Sequence, residues 1–445
     1  MFSFTEEQHE SNRRREGLLL AITAVFVFTN AVAFSLAWQG ALRWQHLWGP
    51  LVWLGCTIAG YALLTRRKPA HDPYLLPLIA LLTGWGVVLV DRLAGGFVGN
   101  FPARQALWVG LSTAVLSAVA LLPPTLAPLR RYRYTLLIGG LLLLAITLLL
   151  GVNPSGGGAR LWLPIPLPFV ATTVYFQPSE LLKLLLVIFL ASYFAEREPL
   201  LRLSSERGLL AALPYLAPLL LMWGFCLALL VWQSDLGAAT IFFVLFVALL
   251  YLATGDGRYV LAGLALLLLG GVLGYFLFDK VALRVDAWWN PWPDASGRAY
   301  QIVQSLYALA AGGLLGQGIG QGFPDYIPVV HSDFVFAAIG EEYGLVGSLG
   351  VVACFALLAQ RGMRIALLAQ RPFHTYLAAG ITILLSLQAL LIMGGVTRLL
   401  PLTGVTLPFV SYGGSSLLIN CVMAGLLLYV SGEERGARSE GARSG

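Results

Sequence analysis

The feature that most constrains this chain is a series of apolar runs, each about 20 residues long, set apart by short polar breaks. That length matches the ~20 residues an α-helix needs to cross the hydrocarbon core of a bilayer. Twelve runs are read, near 18–38, 45–64, 73–92, 105–122, 133–151, 177–195, 209–231, 236–253, 258–278, 334–359, 373–396 and 408–430. Between 209 and 253 the break is only Gln233-Ser234-Asp235, and a tight turn between two spans is predicted there. The expected fold class is an all-α polytopic membrane protein. Composition agrees: the chain is 58% apolar and 11% charged, against about 45–50% and about 25% in soluble domains. A large soluble enzyme, a disordered chain, a coiled coil and a disulfide scaffold are thereby excluded. Cys56, Cys226, Cys354 and Cys421 lie inside apolar runs without metal or disulfide spacing.

Positive residues predict the orientation. With the N-terminus inside, the inner segments hold 19 of the 28 Lys and Arg residues and the outer segments hold 8, with Lys183 inside a span. Both termini are therefore expected in the cytoplasm, with residues 1–17 as a cytoplasmic tail. Arg13, Arg14 and Arg15 precede an apolar run too long for a signal-peptide core, so an uncleaved signal anchor is expected. Two long outer segments result, about 152–176 and 279–333, and the Arg/Gly/Ser tail of 431–445 is expected to be disordered. No basic stripe with interleaved aromatics points to nucleic acid.

Ionisable residues within spans are costly and tend to mark function. In Gln177-Pro178-Ser179-Glu180-Leu181-Leu182-Lys183, proline and an acidic first turn are ordinary helix-start chemistry, and Glu180 can pair with Lys183 three residues on. A polar floor to an outward cavity is the functional reading of the same residues. Asp235 is explained as a helix cap. The outer segment 279–333 carries Trp288, Trp289 and Trp292, which suit interfacial anchoring or stacking on sugar rings. Its glycines, Gly312 to Gly322, follow no strand, so a dinucleotide fingerprint is rejected in favour of close backbone packing or a loop threading over the membrane face. His331-Ser332-Asp333-Phe334 ends the segment, and Asp333 reads as an N-cap or as a functional carboxylate. Glu341 falls about 80° and Glu342 about 180° round the helix from Asp333. Two adjacent carboxylates at that depth predict that at least one is protonated, paired or facing a polar cavity.

Read in order, these segments resemble the SEDS family (shape, elongation, division and sporulation) of RodA and FtsW type. Pro401-Leu402-Thr403-Gly404-Val405-Thr406-Leu407-Pro408-Phe409-Val410-Ser411-Tyr412-Gly413-Gly414-Ser415-Ser416 is similar to the family's C-terminal signature. Gln177–Lys183 resembles its Q-P-S-E-x-x-K segment, and Gln233–Gly237 its Q-P-D-L-G, with Ser234 in place of proline. Asn290-Pro291-Trp292, Tyr300-Gln301, the Gly312–Gly322 run and His331–Phe334 with Gly340-Glu341-Glu342 resemble the large outer loop and its end. The resemblance covers about 73–430, with 18–72 as two extra helices. Ile392 and Arg398 depart from the commonest pattern, and Gly394–Arg398 looks most like the twelve-span RodA-type branch.

The resemblance implies an inverting peptidoglycan glycosyltransferase that polymerises lipid II on the outer face of a bacterial cytoplasmic membrane. Its partner would be a class B penicillin-binding transpeptidase. Asp333 falls on the family's essential aspartate and would be the general base. Trp162 and Arg160, in Gly158-Ala159-Arg160-Leu161-Trp162, would lie beside the cleft. With them, Glu180, Lys183, Gln301, Gln304, His331, Glu341, Arg398, Ser411 and Ser415 are the expected substrate contacts. A divalent cation, magnesium or manganese, is the candidate cofactor, with no nucleotide and no metal ligands assigned. A lipid II flippase, or a non-catalytic scaffold for the transpeptidase, would use the same polar helices and stays open at this point.

Overall fold

A computed structural model describes residues 2–444 apart from 69, 94–100, 124, 155–158, 167–172, 207 and 209–211, and at 2–9, 205 and 434–444 only the backbone is described. Gly158 and Arg207 thus lie outside the described residues. Among the described residues there are fifteen helices and a two-stranded hairpin. Eleven helical stretches are long and apolar enough to cross a membrane. The chain is a polytopic all-α membrane protein. The remaining expected span, 105–122, is a helix too (α4, Phe101–Ala120), but Arg104, Gln105, Ser112, Thr113 and Ser117 make it too polar to join the eleven.

The chain divides into two compact units. The first comprises Met1–Leu122, Ala282–Arg361 and Leu385–Gly445. It contains α1 (Phe2–Gln39), α2 (Trp48–Arg67), α3 (Leu75–Leu93) and α4. α3 is its interior helix, buried over 83% of its most apolar stretch, and α4 packs along α15 (Gly414–Ser444). α15 continues to Ser444 through the tail for which disorder is expected. Its first turn beyond the span is held by an ion pair of 3.0 Å between Glu433 and Lys68.

The second unit comprises Pro123–Val281 and Gly362–Leu384. It holds α5 (Ala127–Arg131), α6 (Arg133–Leu150), α7 (Pro178–Glu206), α8 (Leu213–Trp232), α9 (Leu236–Thr254) and α10 (Gly257–Leu277). Within the unit, 89% of the apolar stretch of α7 is buried but only 6% of that of α10. α7 is therefore the helix around which α6, α8 and α9 pack, and α10 leaves its apolar surface for lipid. Gln233-Ser234-Asp235 does form the turn between α8 and α9, with Ser234 at φ 60°. The outer segment 152–176 is more ordered than a loop. β1 (Leu163–Pro166) pairs antiparallel with β2 (Thr173–Phe176), and Val152 bridges Trp162.

The segment 279–333 is largely helical as well. It contains α11 (Asp279–Trp289) and α12 (Tyr300–Gly312), and it leads into α13 (Val335–Leu368), which α14 (Pro372–Val396) follows. α13 is broken at Gly344, where φ is 67° and ψ −161°, a conformation open to glycine at little cost. The break frees helical carbonyls and amides inside the membrane, where each needs a partner. The glycine-rich segment supplies them. Gln317 and Gly318 donate to the carbonyls of Glu341 and Glu342 at 2.8 and 3.1 Å. Leu345 and Val346 donate to the carbonyls of Gly313 and Leu314 at 2.9 and 3.2 Å. Close backbone packing is thus the reason for the glycines: a Cβ added at Gly316 would lie 2.2 Å from the Glu342 carbonyl oxygen.

Candidate active site

In the first unit, the turn that starts α13 positions Asp333. Ser332 and Asp333 both donate backbone N–H groups to the Val329 carbonyl, and Phe334 is buried as an anchor. The signature segment 401–416 grips this turn from its other side. Ser411 donates its hydroxyl to the Ser332 carbonyl at 2.6 Å and accepts the Leu407 N–H at 3.0 Å. The Tyr412 N–H bonds the His331 carbonyl at 2.9 Å. The His331 ring lies against Phe101 and Tyr412, with centroids 5.2 and 5.7 Å away.

Asp333 is only partly buried, and its Oδ1 accepts the Ser332 hydroxyl at 2.6 Å. That bond, rather than a cap on α13, is the use the structure makes of this oxygen. The other oxygen, Oδ2, faces Gly404 together with a guanidinium from α11. A Cβ built on Gly404 would lie 3.7 Å from Asp333 Oδ2 and 3.2 Å from Arg284 Nη2. Gly404 has φ 69°, so both geometry and space call for glycine there. Arg284 also donates to the Thr403 carbonyl at 3.3 Å. Burial holds the Asp333 carboxyl above the ordinary aspartate range, while the Ser332 hydroxyl and the Arg284 charge pull it back down. Burial alone pushes the His331 imidazole below its usual value.

The two carboxylates further along α13 have separate partners. Glu342 pairs with Arg92 Nε at 2.8 Å, both side chains almost fully buried. Arg92 also reaches Asp325 at 3.2 Å and the Gly322 carbonyl at 2.9 Å, and lies 4.7 Å over the Trp38 ring. Glu341 accepts the Phe323 N–H at 2.8 Å, which ties it to the loop end rather than leaving it open. Gln301, on α12, donates to the Pro328 carbonyl at 3.3 Å, and Gln304 stands one turn further along. Ser415 is buried in the first turn of α15, beside Ser416, whose hydroxyl meets that of Thr406 at 2.8 Å. Arg398 has φ 59°, and its carbonyl accepts the Trp288 indole N–H at 3.2 Å. Trp288 is thus committed to structure, while Trp289 and Trp292 stay exposed.

The second unit has its own polar cluster. Lys183 and Glu180 pair at 2.6 Å across one turn of α7, both buried. Asp235 caps α9 by accepting the Ala238 N–H at 3.2 Å. Its carboxylate is also acted on by the Ser179 hydroxyl and the Lys183 ammonium. The two motifs 177–183 and 233–237 therefore converge. Gln233 fixes the turn by donating to the Leu144 carbonyl and to Thr147. Trp162 is held by the backbone bridge to Val152, and Arg160, two residues earlier, is exposed.

Sequence reasoning missed Arg284 as the cation beside Asp333 and Arg92 as the partner of Glu342. Arg92 had a signal: two adjacent carboxylates in a span require a cation at similar depth, and Arg92 ends a span. Arg284 had none, being 49 residues from Asp333 in the chain. Among the described residues, no three His, Cys, Asp or Glu side chains converge as a metal site. The charged neighbour of Asp333 is an arginine, so this donor set does not fit a resident divalent cation.

Residues 74–436 match the family model described as cell cycle protein, for FtsW, RodA and SpoVE. The peptidoglycan glycosyltransferase RodA of Mycobacterium tuberculosis (strain ATCC 25618 / H37Rv) is 36% identical over 431 residues, covering 95% of this chain and 91% of that protein. The probable peptidoglycan glycosyltransferase FtsW of Geobacter metallireducens is 34% identical over 390 residues, covering 84% of this chain and 98% of that one. Among solved structures, a chain from a study of polymerization and crosslinking by a peptidoglycan synthase complex superposes with TM-score 0.67 at 28% identity, covering 82% of this chain and 98% of its own. The crystal structure of Thermus thermophilus rod shape determining protein RodA gives TM-score 0.57 at 26% identity, with 81% and 97% covered.

Proposed function

Because the chain belongs to the FtsW, RodA and SpoVE family of cell cycle proteins, we propose that it is a peptidoglycan glycosyltransferase that joins lipid II units into β-1,4 glycan strands. The observation that carries the chemistry is the Asp333 carboxylate, held by Ser332 on one oxygen and facing Gly404 beside Arg284 on the other. Asp333 takes the proton of the acceptor sugar's 4-hydroxyl. The resulting oxygen attacks the anomeric carbon of the lipid-linked donor from the face opposite its pyrophosphate. The new C–O bond forms as the bond to pyrophosphate breaks, turning an α-linked donor into a β-linked product. A base with a carboxyl above its usual range suits this transfer, because proton affinity rises towards the working pH.

Arg284 orients the Asp333 carboxylate, and Arg398 in the same unit is a candidate for meeting the pyrophosphate charge. A magnesium or manganese ion is proposed to arrive with the pyrophosphate of the substrate. In the second unit, Glu180, Lys183, Arg160 and Trp162 are proposed as contacts for the lipid-linked disaccharide. The charge bias supports an outward-facing Asp333 in a bacterial cytoplasmic membrane. A class B penicillin-binding transpeptidase is the proposed partner, since the solved relative belongs to a complex that couples polymerization to crosslinking. An elongation role is favoured by coverage: an alignment over 95% of the chain takes in most of the first two helices.

The test is Asp333→Asn, purified in detergent and given lipid II, with products separated by size. Detergent removes sidedness, so bond formation is read apart from lipid movement. A fall in polymerisation of about 10²–10⁴-fold is expected. A folded variant working at the wild-type rate would overturn the assignment.

A further inference from the structure

The first unit contains a cavity whose lining along α13 begins at Glu342 and does not include Asp333, Arg284 or Gly404, with a volume of about 970 Å³. That is the upper end of the range for small-molecule sites, about 300–1,000 Å³. Its walls come from α1, α3 and α13, with Ile22, Phe26, Leu81, Val346 and Cys354 giving it an apolar surface. Along α13 it runs from Glu342 to Arg361, which at 1.5 Å per residue is about 28 Å, close to the depth of the hydrocarbon core. A Cβ built on Gly350 would meet nothing within 4 Å, so the space in front of α13 is open there.

One end of this apolar space is polar. Trp85 Nε1, the Tyr343 hydroxyl and Glu342 Oε2 are all buried and none has a well-formed hydrogen bond, although the Tyr343 hydroxyl lies near Trp85, and Glu342 near the Gly320 N–H as well as Arg92. Trp85 is 4% and Glu342 2% exposed. Two of these groups donate and one accepts. The charge around them is set by one guanidinium, Arg92, against three carboxylates, Glu341, Glu342 and Asp325. Arg92 is already paired, so an anionic head would find no spare cation here, while a head with its own ammonium or hydroxyl donors would find carboxylate acceptors. The opposite end is closed by Arg361, already paired with Asp72 and stacked on Tyr74.

We infer that this cavity is a binding site for one membrane lipid of zero net charge, its hydrogen-bonding head at Trp85, Tyr343 and Glu342 and its chains along α13. One wall, α1, lies outside the residues that match the family model. The site therefore needs the N-terminal extension for one wall, while its other walls, α3 and α13, belong to the matched region. The bound lipid fills the space between that extension and α13.

The experiment uses the full chain in nanodiscs of equal phosphatidylethanolamine and phosphatidylglycerol, moved into detergent and weighed by native mass spectrometry. One retained phosphatidylethanolamine per protein is expected. Gly350→Trp, which fills the open space, should cut that retention at least tenfold. Tyr343→Phe, which keeps the volume, should cut it about threefold. Lipid II polymerisation in detergent should be unchanged by Gly350→Trp. Cys354 gives a readout without any substitution: stripping the lipid should speed its alkylation at least tenfold, measured on its own peptide. Retention of phosphatidylglycerol instead, displacement by a polyprenyl pyrophosphate, equal retention in Gly350→Trp, or an unchanged alkylation rate would each overturn the site.

Discussion

The two units hold polar clusters of similar ingredients and opposite construction. In the second unit Glu180 and Lys183 lie one helical turn apart on α7 and close on each other at 2.6 Å. In the first unit Arg284, Asp333 and Gly404 come from three separate segments, and the carboxylate stays partly open. A closed buried pair spends its charge on itself, and what it offers a ligand is a fixed position. An open carboxylate with one oxygen held and its proton affinity raised keeps chemistry in reserve. Charge content alone does not distinguish the two, but the way the partners are delivered does.

The largest effect should come from breaking that distinction at Asp333, where Asn keeps the shape and removes the base. Activity should fall by about 10²–10⁴-fold while thermal unfolding in detergent moves little. The second cluster should behave in the opposite sense. Lys183→Met strands a buried Glu180 and should cost about 3–5 kcal/mol of stability, most of it recovered in the Lys183→Met, Glu180→Gln double variant. Unfolding of the single and double variants measures this, and strict additivity would show that the pair is not coupled.

Arg284→Gln sharpens the comparison through pH. Asp333 must be ionised to act as a base, so kcat/KM rises with pH through its pKa. Arg284 lowers that pKa, so its removal should move the acidic limb of the profile to higher pH. A limb that stays in place would separate Arg284 from Asp333. The smallest effect is expected at Gly404→Ala, where φ 69° costs an L-residue about 1–2 kcal/mol. The added methyl also presses on Arg284, so KM and kcat for lipid II should both shift modestly, and kinetics indistinguishable from wild type would remove Gly404 from the site.

Much of the fold could be read from residue order. Apolar run length gives the spans, helix-start chemistry gives Pro178 and the Asp235 cap, and three-residue spacing gives the Glu180–Lys183 pair. These are local rules, satisfied within one turn. The outer segment escaped because its partners are remote. Nothing near Arg284 announces Asp333, and Arg92 reads in the sequence as an outer topology residue, whereas the structure pairs it with Glu342. The break in α13 was hidden for a related reason. Gly344 sits in an apolar helix pattern, and the groups that satisfy its freed backbone come from a glycine run about thirty residues earlier.

That seam has a mechanical side. Residues 313–318 are stitched to 341–346, and the chain between them returns as the first turn of the same helix. The stretch from Ile319 to Phe334 is therefore a tether of set contour length with both ends fastened to α13. Its middle is pinned to the same neighbourhood, with Arg92 on the Gly322 carbonyl and Glu341 on the Phe323 N–H, so the Asp333 turn hangs between fixed points rather than at the end of a free loop.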